Sequence, residues 1–302
     1  MGDLLDAAAT AARLPPVALA QAIEALLRDP AVQVPQRLVQ PLPGGGSLFV
    51  MPALDARVAI TKLITYTPAN AGTPRPAIQG DVVVFDVATG QRVLVLDGPA
   101  VTAARTAAVS LLAAQRLAPT PAGPLLIVGA GAQGRAHLEA FRAGLPISEV
   151  RIASRSRASA QGLADHATAL GLRAQVIDDV DAALPDCPLV VTCTPASQVV
   201  LRALPRADAF IAAVGAFTPR MVELGPEACR HCADQGSVVL DTRDADHEAG
   251  DLLQAGLDVT RFPTLADVVH GRVAAGRGPV LFKSCGWAGW DLAAARCALQ
   301  AA

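Results

Sequence analysis

The sequence predicts an α/β protein in two parts, a mostly β (α+β) N-terminal unit and then a doubly wound parallel sheet. Three observations predict it. Between about residue 30 and residue 100, short apolar runs alternate with polar residues and meet at glycine turns, the pattern of a sheet. From Leu125 onward, strand-like runs alternate with helix-forming segments, as a parallel sheet covered on both faces requires. At the junction, Leu125-Leu126-Ile127-Val128 runs directly into three glycines spaced G-x-G-x-x-G.

Residues 1–30 read as helical: Leu4, Leu5, Ala8, Ala11 and Ala12 make one apolar stripe, Pro15-Pro16 breaks it, and Val17–Leu27 makes another. The alternating run 32–39 predicts a strand, and Gly44-Gly45-Gly46 a turn. Further strands are expected over 47–51, 58–66, 80–86 and 92–96, with Ala88-Thr89-Gly90 turning the last two into a hairpin. Residues 102–117 read as a helix and 119–124 as a linker. Parallel strands are expected at 125–129, 150–153, 174–177, 189–192, 209–213 and 237–240. The tail reads as a strand or turn over 280–286 and a helix over 287–299. The expected domains are therefore 1–118, completed by 280–302, and 119–279.

The glycines define the chemistry of the second domain. Gly129 permits a tight turn off the strand, Gly131 keeps a side chain out of the way of a pyrophosphate, and Gly134 lets helix and strand pack closely. The helix N-terminus then offers free N–H groups and partial positive charge. Strand before and helix after make this a Rossmann-type dinucleotide site, with Gly129, Gly131, Ala132, Gln133 and Gly134 as cofactor contacts. The next strand ends at Ser154-Arg155-Ser156-Arg157, with hydroxyls and guanidinium groups in place of the acid that holds an NAD ribose; Glu149 opens that strand and belongs at its far end. Arginine forks suit a 2′-phosphate, so NADPH is expected, with NADH possible; the same residues also make an ordinary helix start capped by Ser156. Thr194 and Pro195 follow the fourth strand, and Val214, Gly215, Phe217 and Thr218 follow the fifth; such turns border the ligand in these sheets.

Composition narrows the classes. With 52% hydrophobic and 17% charged residues the chain is globular, and a net charge of −2 without a basic run excludes an electrostatic footprint for nucleic acid. The acidic start lacks the charged front of a secretory signal, and no apolar stretch reaches membrane-spanning length, so no membrane partner and a cytoplasmic location are expected. Six scattered cysteines do not make a disulfide framework, and Cys229-Arg230-His231-Cys232 is only half of a zinc set, so no metal is expected.

The substrate is sought in the N-terminal unit. Arg37, Lys62 and Arg105 lie in otherwise apolar segments, where an unpaired cation is costly. Either each pairs internally, with Asp81, Asp86 or Asp97, or snorkels to the surface, or the three share an anionic ligand, for which guanidinium forks and an ammonium are suited.

Gln36-Arg37, Met51-Pro52-Ala53, Thr61-Lys62, Asp97-Gly98, Thr102-Ala103-Ala104-Arg105-Thr106-Ala107-Ala108, Gly129-Ala130-Gly131-Ala132-Gln133-Gly134 and Phe282-Lys283-Ser284 occur in an order that resembles the ornithine cyclodeaminase/mu-crystallin family. The resemblance covers nearly the whole chain. It implies a homodimer whose N-terminal unit serves substrate binding and dimerisation, and a substrate carboxylate held by Arg37, Lys62 and Arg105 against the nicotinamide. Met51, Phe217 and Thr218 are then expected at the substrate, and Thr106, Lys283 and Ser284 at the cofactor.

One departure directs the choice of reaction. The family's cyclodeaminases carry an aspartate in a Gly-Asp-x-Pro turn after the fifth strand, whereas this chain reads Gly215-Ala216-Phe217-Thr218-Pro219. Phenylalanine cannot take a proton, which disfavours ammonia loss unless a carboxylate such as Glu223 replaces the aspartate. Family members similar in this respect are imine reductases, so the resemblance implies as substrate a small cyclic imino acid, Δ1-pyrroline-2-carboxylate or Δ1-piperideine-2-carboxylate, reduced by hydride transfer. Ornithine cyclodeaminase, alanine dehydrogenase and a non-catalytic carrier remain alternatives.

Overall fold

The computed structural model describes residues 3–70, 73, 75–273, 276 and 278–301. The chain forms two compact units, Met1–Arg105 with Trp287–Ala302, and Thr106–Gly286.

The first unit is a six-stranded sheet of β1 (Asp3–Leu4), β2 (Leu38–Leu42), β3 (Gly46–Leu54), β4 (Val58–Tyr66), β5 (Ile78–Asp86) and β6 (Arg92–Asp97), in the order β1-β6-β5-β4-β3-β2. All pairs are antiparallel except β1 with β6. The helices of this unit are α1 (Ala7–Ala12), α2 (Pro16–Leu27) and the C-terminal α10 (Ala288–Gln300); α10 packs on α2, β3 and β4. Along β4, Val58, Ile60, Lys62 and Ile64 are buried while Leu63 is 45% exposed, so the two-residue period of the strand turns Lys62 inward with the aliphatic side chains.

The expected strand over 32–39 is not continuous. Only Gln33 bridges Leu54, and β2 begins at Leu38. Pro35 lies between them, and a proline supplies no N–H to a ladder. The short β1 pairs with β6 in a stretch read as helical, because a two-residue strand leaves no period to detect.

The second unit is an all-parallel, seven-stranded Rossmann-type sheet in the order β12-β13-β11-β10-β7-β8-β9. Its strands are β7 (Leu125–Val128), β8 (Glu149–Ala153), β9 (Arg173–Val176), β10 (Leu189–Thr192), β11 (Phe210–Ala213), β12 (Ser237–Leu240) and β13 (Val280–Lys283). The helices are α3 (Gly98–Leu117), inside which the division between the units falls, α4 (Ala132–Gly144), α5 (Arg157–Ala169), α6 (Val180–Ala183), α7 (Pro226–Gln235), α8 (Gly250–Gln254) and α9 (Leu265–Val269). Strands β7, β10, β11 and β13 are buried throughout, which is why they read as unbroken apolar runs. Strand order reverses between β7 and β10, so a ligand crevice belongs past the carboxyl ends of those two strands.

One boundary is corrected. Residues 280–283, expected to complete the first domain, are β13, paired with both β11 and β12 inside the second sheet; only Trp287 onward returns to the first unit. The reason is topological: sequence shows that 280–283 is apolar, not which sheet has a place for it. Cys229 and Cys232 lie buried on α7 in the core of this unit.

Candidate functional site

The first unit gathers its cations around one acid. Lys62 Nζ donates to Asp291 Oδ1 at 3.1 Å, and Arg105 Nε lies 3.4 Å from the same oxygen. All three side chains are buried. Arg37, just ahead of β2, is close enough for its charge to act on Lys62. Met51 stands opposite Lys62 in the β3–β4 register, so the two share a face. Burial pulls the Lys62 pKa down, Asp291 restores part of the loss, and Arg105 and Arg37 depress it again; the result is about 8. The ion-pair alternative therefore holds in part, but with a partner from the far end of the chain. Two of the three aspartates considered from sequence have local duties: Asp86 accepts from Thr89 in the hairpin turn, and Asp97 accepts from Ala100 at the start of α3. Guanidinium and ammonium groups gathered in this way are of the types that hold a small anion.

The second unit carries the dinucleotide cradle. Gly129 has φ +117°, and its N–H donates to Ala153 O at 2.8 Å, joining the turn to β8. A Cβ on Gly134 would lie 2.0 Å from Gly129 O, whereas a Cβ on Gly131 would meet nothing within 4 Å. Closeness is thus required at Gly134, and open space is left at Gly131, where a pyrophosphate would approach. Gly131 is also the N-cap of α4 with no side-chain cap, and Ala132 is exposed, so the helix start keeps N–H groups for an anion. The residues present fit a dinucleotide. Glu149 opens β8 and lies near Arg151 and Arg173, while the other end of β8 presents Ser154, Arg155, Ser156 and Arg157. Ser156 caps α5, accepting from Ser159 N, and Arg157 pairs with Asp178 where both are largely exposed.

Beneath the turns after β10 and β11 lies a buried polar network that sequence reasoning missed. Glu223 Oε1 accepts from Thr194 N at 2.6 Å and Thr194 Oγ1 at 2.9 Å; its Oε2 accepts from Gly215 N at 2.7 Å and Thr192 Oγ1 at 3.1 Å. Burial raises the Glu223 pKa, against the pull of Lys283 and the Thr194 N–H. Asp251 Oδ1 accepts from the N–H groups of Glu223 and Leu224, and its Oδ2 accepts from Lys283 Nζ at 2.7 Å. The Lys283 ammonium is fully buried and held by Asp251, and the Ser284 hydroxyl donates to Asp241 at 2.8 Å. Burial disfavours the Lys283 charge, but Asp251 and other anionic neighbours outweigh it and hold its pKa above the usual lysine value. The apolar strand hid this lysine's partner, which comes from a helix 32 positions upstream.

Thr194, Pro195, Val214, Gly215, Phe217 and Thr218 all lie in those turns, at the carboxyl end of the sheet. A Cβ on Gly215 would lie 2.2 Å from Thr194 O, so the two turns touch and glycine is required there. Thr106 is buried on α3.

A sequence profile of the ornithine cyclodeaminase/mu-crystallin family matches residues 4–301. The chain belongs to this family. Among the relatives of this cyclodeaminase/mu-crystallin chain, Delta(1)-pyrroline-2-carboxylate reductase 1 of Burkholderia multivorans is 40% identical, covering 99% of this chain and 95% of that protein. Ketimine reductase mu-crystallin of Mus musculus is 35% identical, covering 94% of this chain and 90% of that protein. The fold matches Thermococcus litoralis Delta(1)-pyrroline-2-carboxylate reductase, solved with NADH and L-proline, at a TM-score of 0.90 and 22% identity, covering 99% of this chain and 96% of that one. Within this family member, the residue that sequence reasoning overlooked is Asp291. A signal existed: it is the single acid in the apolar segment Ala288–Gln300, and the argument made for isolated cations applies equally to an isolated acid.

Proposed function

We propose that this protein is an NADPH-dependent reductase of cyclic imino acids, converting Δ1-pyrroline-2-carboxylate to proline and Δ1-piperideine-2-carboxylate to pipecolate. The observation that carries the reading is the buried group of Lys62, Arg105 and Asp291, with Arg37 near enough for its charge to act on Lys62. The reductases named among the relatives support the same chemistry. Arg37 and Arg105 take the substrate carboxylate, since guanidinium forks match its geometry. Lys62, with a pKa of about 8, is mostly protonated at neutral pH and gives its proton to the imine nitrogen. Reduced nicotinamide, when bound, supplies the hydride for C2. The C=N π pair becomes the N–H bond, the nitrogen ends as a ring amine, and Lys62 regains its proton from solvent.

A lyase reading needs a free carboxylate in the turn after β11. Phe217 occupies that place, and the substitute considered, Glu223, has both oxygens engaged by backbone and hydroxyl donors. The test is direct: purified protein with NADPH and either cyclic imine, with pyruvate plus ammonia, or with ornithine and NAD+. NADPH oxidation with the cyclic imines alone is the expected result; ammonia from ornithine at a comparable rate would overturn it.

The NADPH preference rests on Arg155 and Arg157. The Arg157–Asp178 contact is exposed and therefore weak, leaving the guanidinium able to turn to a 2′-phosphate. Replacing both arginines by alanine is expected to raise the KM for NADPH roughly ten- to a hundred-fold, the worth of charge-assisted hydrogen bonds, with NADH little changed. Equal loss for both cofactors in parallel titrations would reject it. A homodimer is proposed on the family pattern, with the exposed Leu38, Val39 and Leu63 as apolar side chains a second copy would cover; light scattering after size-exclusion chromatography checks it.

A further inference from the structure

Asp291 stands where a carboxylate should harm the binding of an anion. It is fully buried, on α10, and both of its close cationic neighbours approach Oδ1. Its second oxygen, Oδ2, is buried and accepts no hydrogen bond. An ionised carboxylate held in this way is costly unless its charge has a use. The cluster explains the use. Lys62 is reached by one opposite charge, from Asp291, and by two like charges, from Arg105 on α3 and Arg37 ahead of β2. Its strand neighbours, Met51 on β3 and Val82 on β5, bring no charge. Without Asp291, burial and two guanidinium groups would all favour a neutral amine.

We propose that Asp291 is a positioning residue for the reaction: it holds Lys62 as an ammonium beside the guanidinium groups that take the substrate carboxylate, and so sets the upper pH limit of imine reduction. The proposal rests on the reading of Lys62 as the acid. The division of labour follows from geometry. A lysine hydrogen-bonded at 3.1 Å to a carboxylate is held in place by it, with two further ammonium protons to direct elsewhere. The substrate's carboxylate then meets the arginines, and its nitrogen meets a proton that is already in position. Wild-type activity is expected to be flat below pH 8 and to fall above it, because only the protonated amine can donate.

The chain contains only two lysines, Lys62 and Lys283, which makes the test unusually direct. Protein labelled with 13C-lysine gives two side-chain Cε signals, and Lys283, held charged by Asp251, should not titrate in the same range. In wild type, one signal is expected to titrate near pH 8. In Asp291→Asn the same midpoint should fall by about one pH unit or more, as expected for loss of an opposite charge in contact. The alkaline limb of kcat/KM should fall with it, so that activity at pH 8 drops about fivefold or more while activity at low pH is much less affected. NADPH affinity should not change.

A midpoint unchanged in Asp291→Asn overturns the proposal whether or not the substrate has been correctly identified. So does a midpoint that moves while the kinetic limb stays in place. A wild-type protein inert toward both imines would instead reject the functional reading, and the titration would still decide whether Asp291 controls Lys62. Should Asp291→Asn fail to fold, the double variant Arg105→Gln/Asp291→Asn keeps the net charge of the cluster. Its titration is read in the same direction, because Asp291 acts on Lys62 more strongly than Arg105 does.

Discussion

Arg105→Ala is expected to lower kcat/KM for imine reduction by about a hundred- to a thousand-fold while leaving NADPH affinity within about twofold. The guanidinium is buried beside Asp291, with its Nε 3.4 Å from Oδ1. Truncating one member of a desolvated charge cluster typically costs about 2–5 kcal/mol, and each 1.4 kcal/mol is tenfold. Two losses combine. The substrate carboxylate forfeits a fork, and Asp291 loses one of its two close cationic partners, keeping Lys62. Arg105 belongs to the unit that carries the cation cluster, whereas the G-x-G-x-x-G turn belongs to the other. Initial-rate kinetics alongside fluorescence titration of NADPH separates the two effects. Loss of cofactor affinity together with turnover would make Arg105 a structural residue and remove it from the anion site.

Lys283→Met is expected to act on stability before it acts on catalysis. Lys283 and Asp251 form a fully buried pair at 2.7 Å, and Asp251 also accepts the N–H groups of Glu223 and Leu224. Removing the ammonium leaves a buried carboxylate uncompensated, a change worth about 3–5 kcal/mol. For a chain of this size the thermal midpoint should fall by roughly 6–20 °C. NADPH binding should weaken as a consequence, since Glu223 ties Thr194 to Gly215 and so holds the two turns in register. Calorimetry and cofactor titration on the same preparation distinguish this from direct contact. If Lys283 touched the cofactor, as the sequence suggests, affinity would fall with no change in the thermal midpoint.

Features with a short sequence range were legible. The glycine spacing predicted the turn at Gly129 and the helix from Ala132, because a left-handed φ and a Cβ-free approach each demand glycine. Strands β7, β10 and β11 of the second sheet were visible as apolar runs, because strands buried on both faces have no polar side to show. The amphipathic alternation of β4 placed Lys62 among buried residues, which already required a partner for its charge. Strand 32–39 failed for a local reason too, since Pro35 outweighs the alternation around it.

The sequence by itself therefore determined the family, the dinucleotide turn and the presence of buried cations in need of an anion, all of which depend on residue type and spacing within one element. Only the tertiary structure decided where each charge is answered. Lys62 meets Asp291 across 229 positions and Lys283 meets Asp251 across 32, and the strand 280–283 finds its place in the second sheet instead of the first. Sequence states that a buried charge is costly, but the partner that offsets it is chosen by which helix packs over which strand.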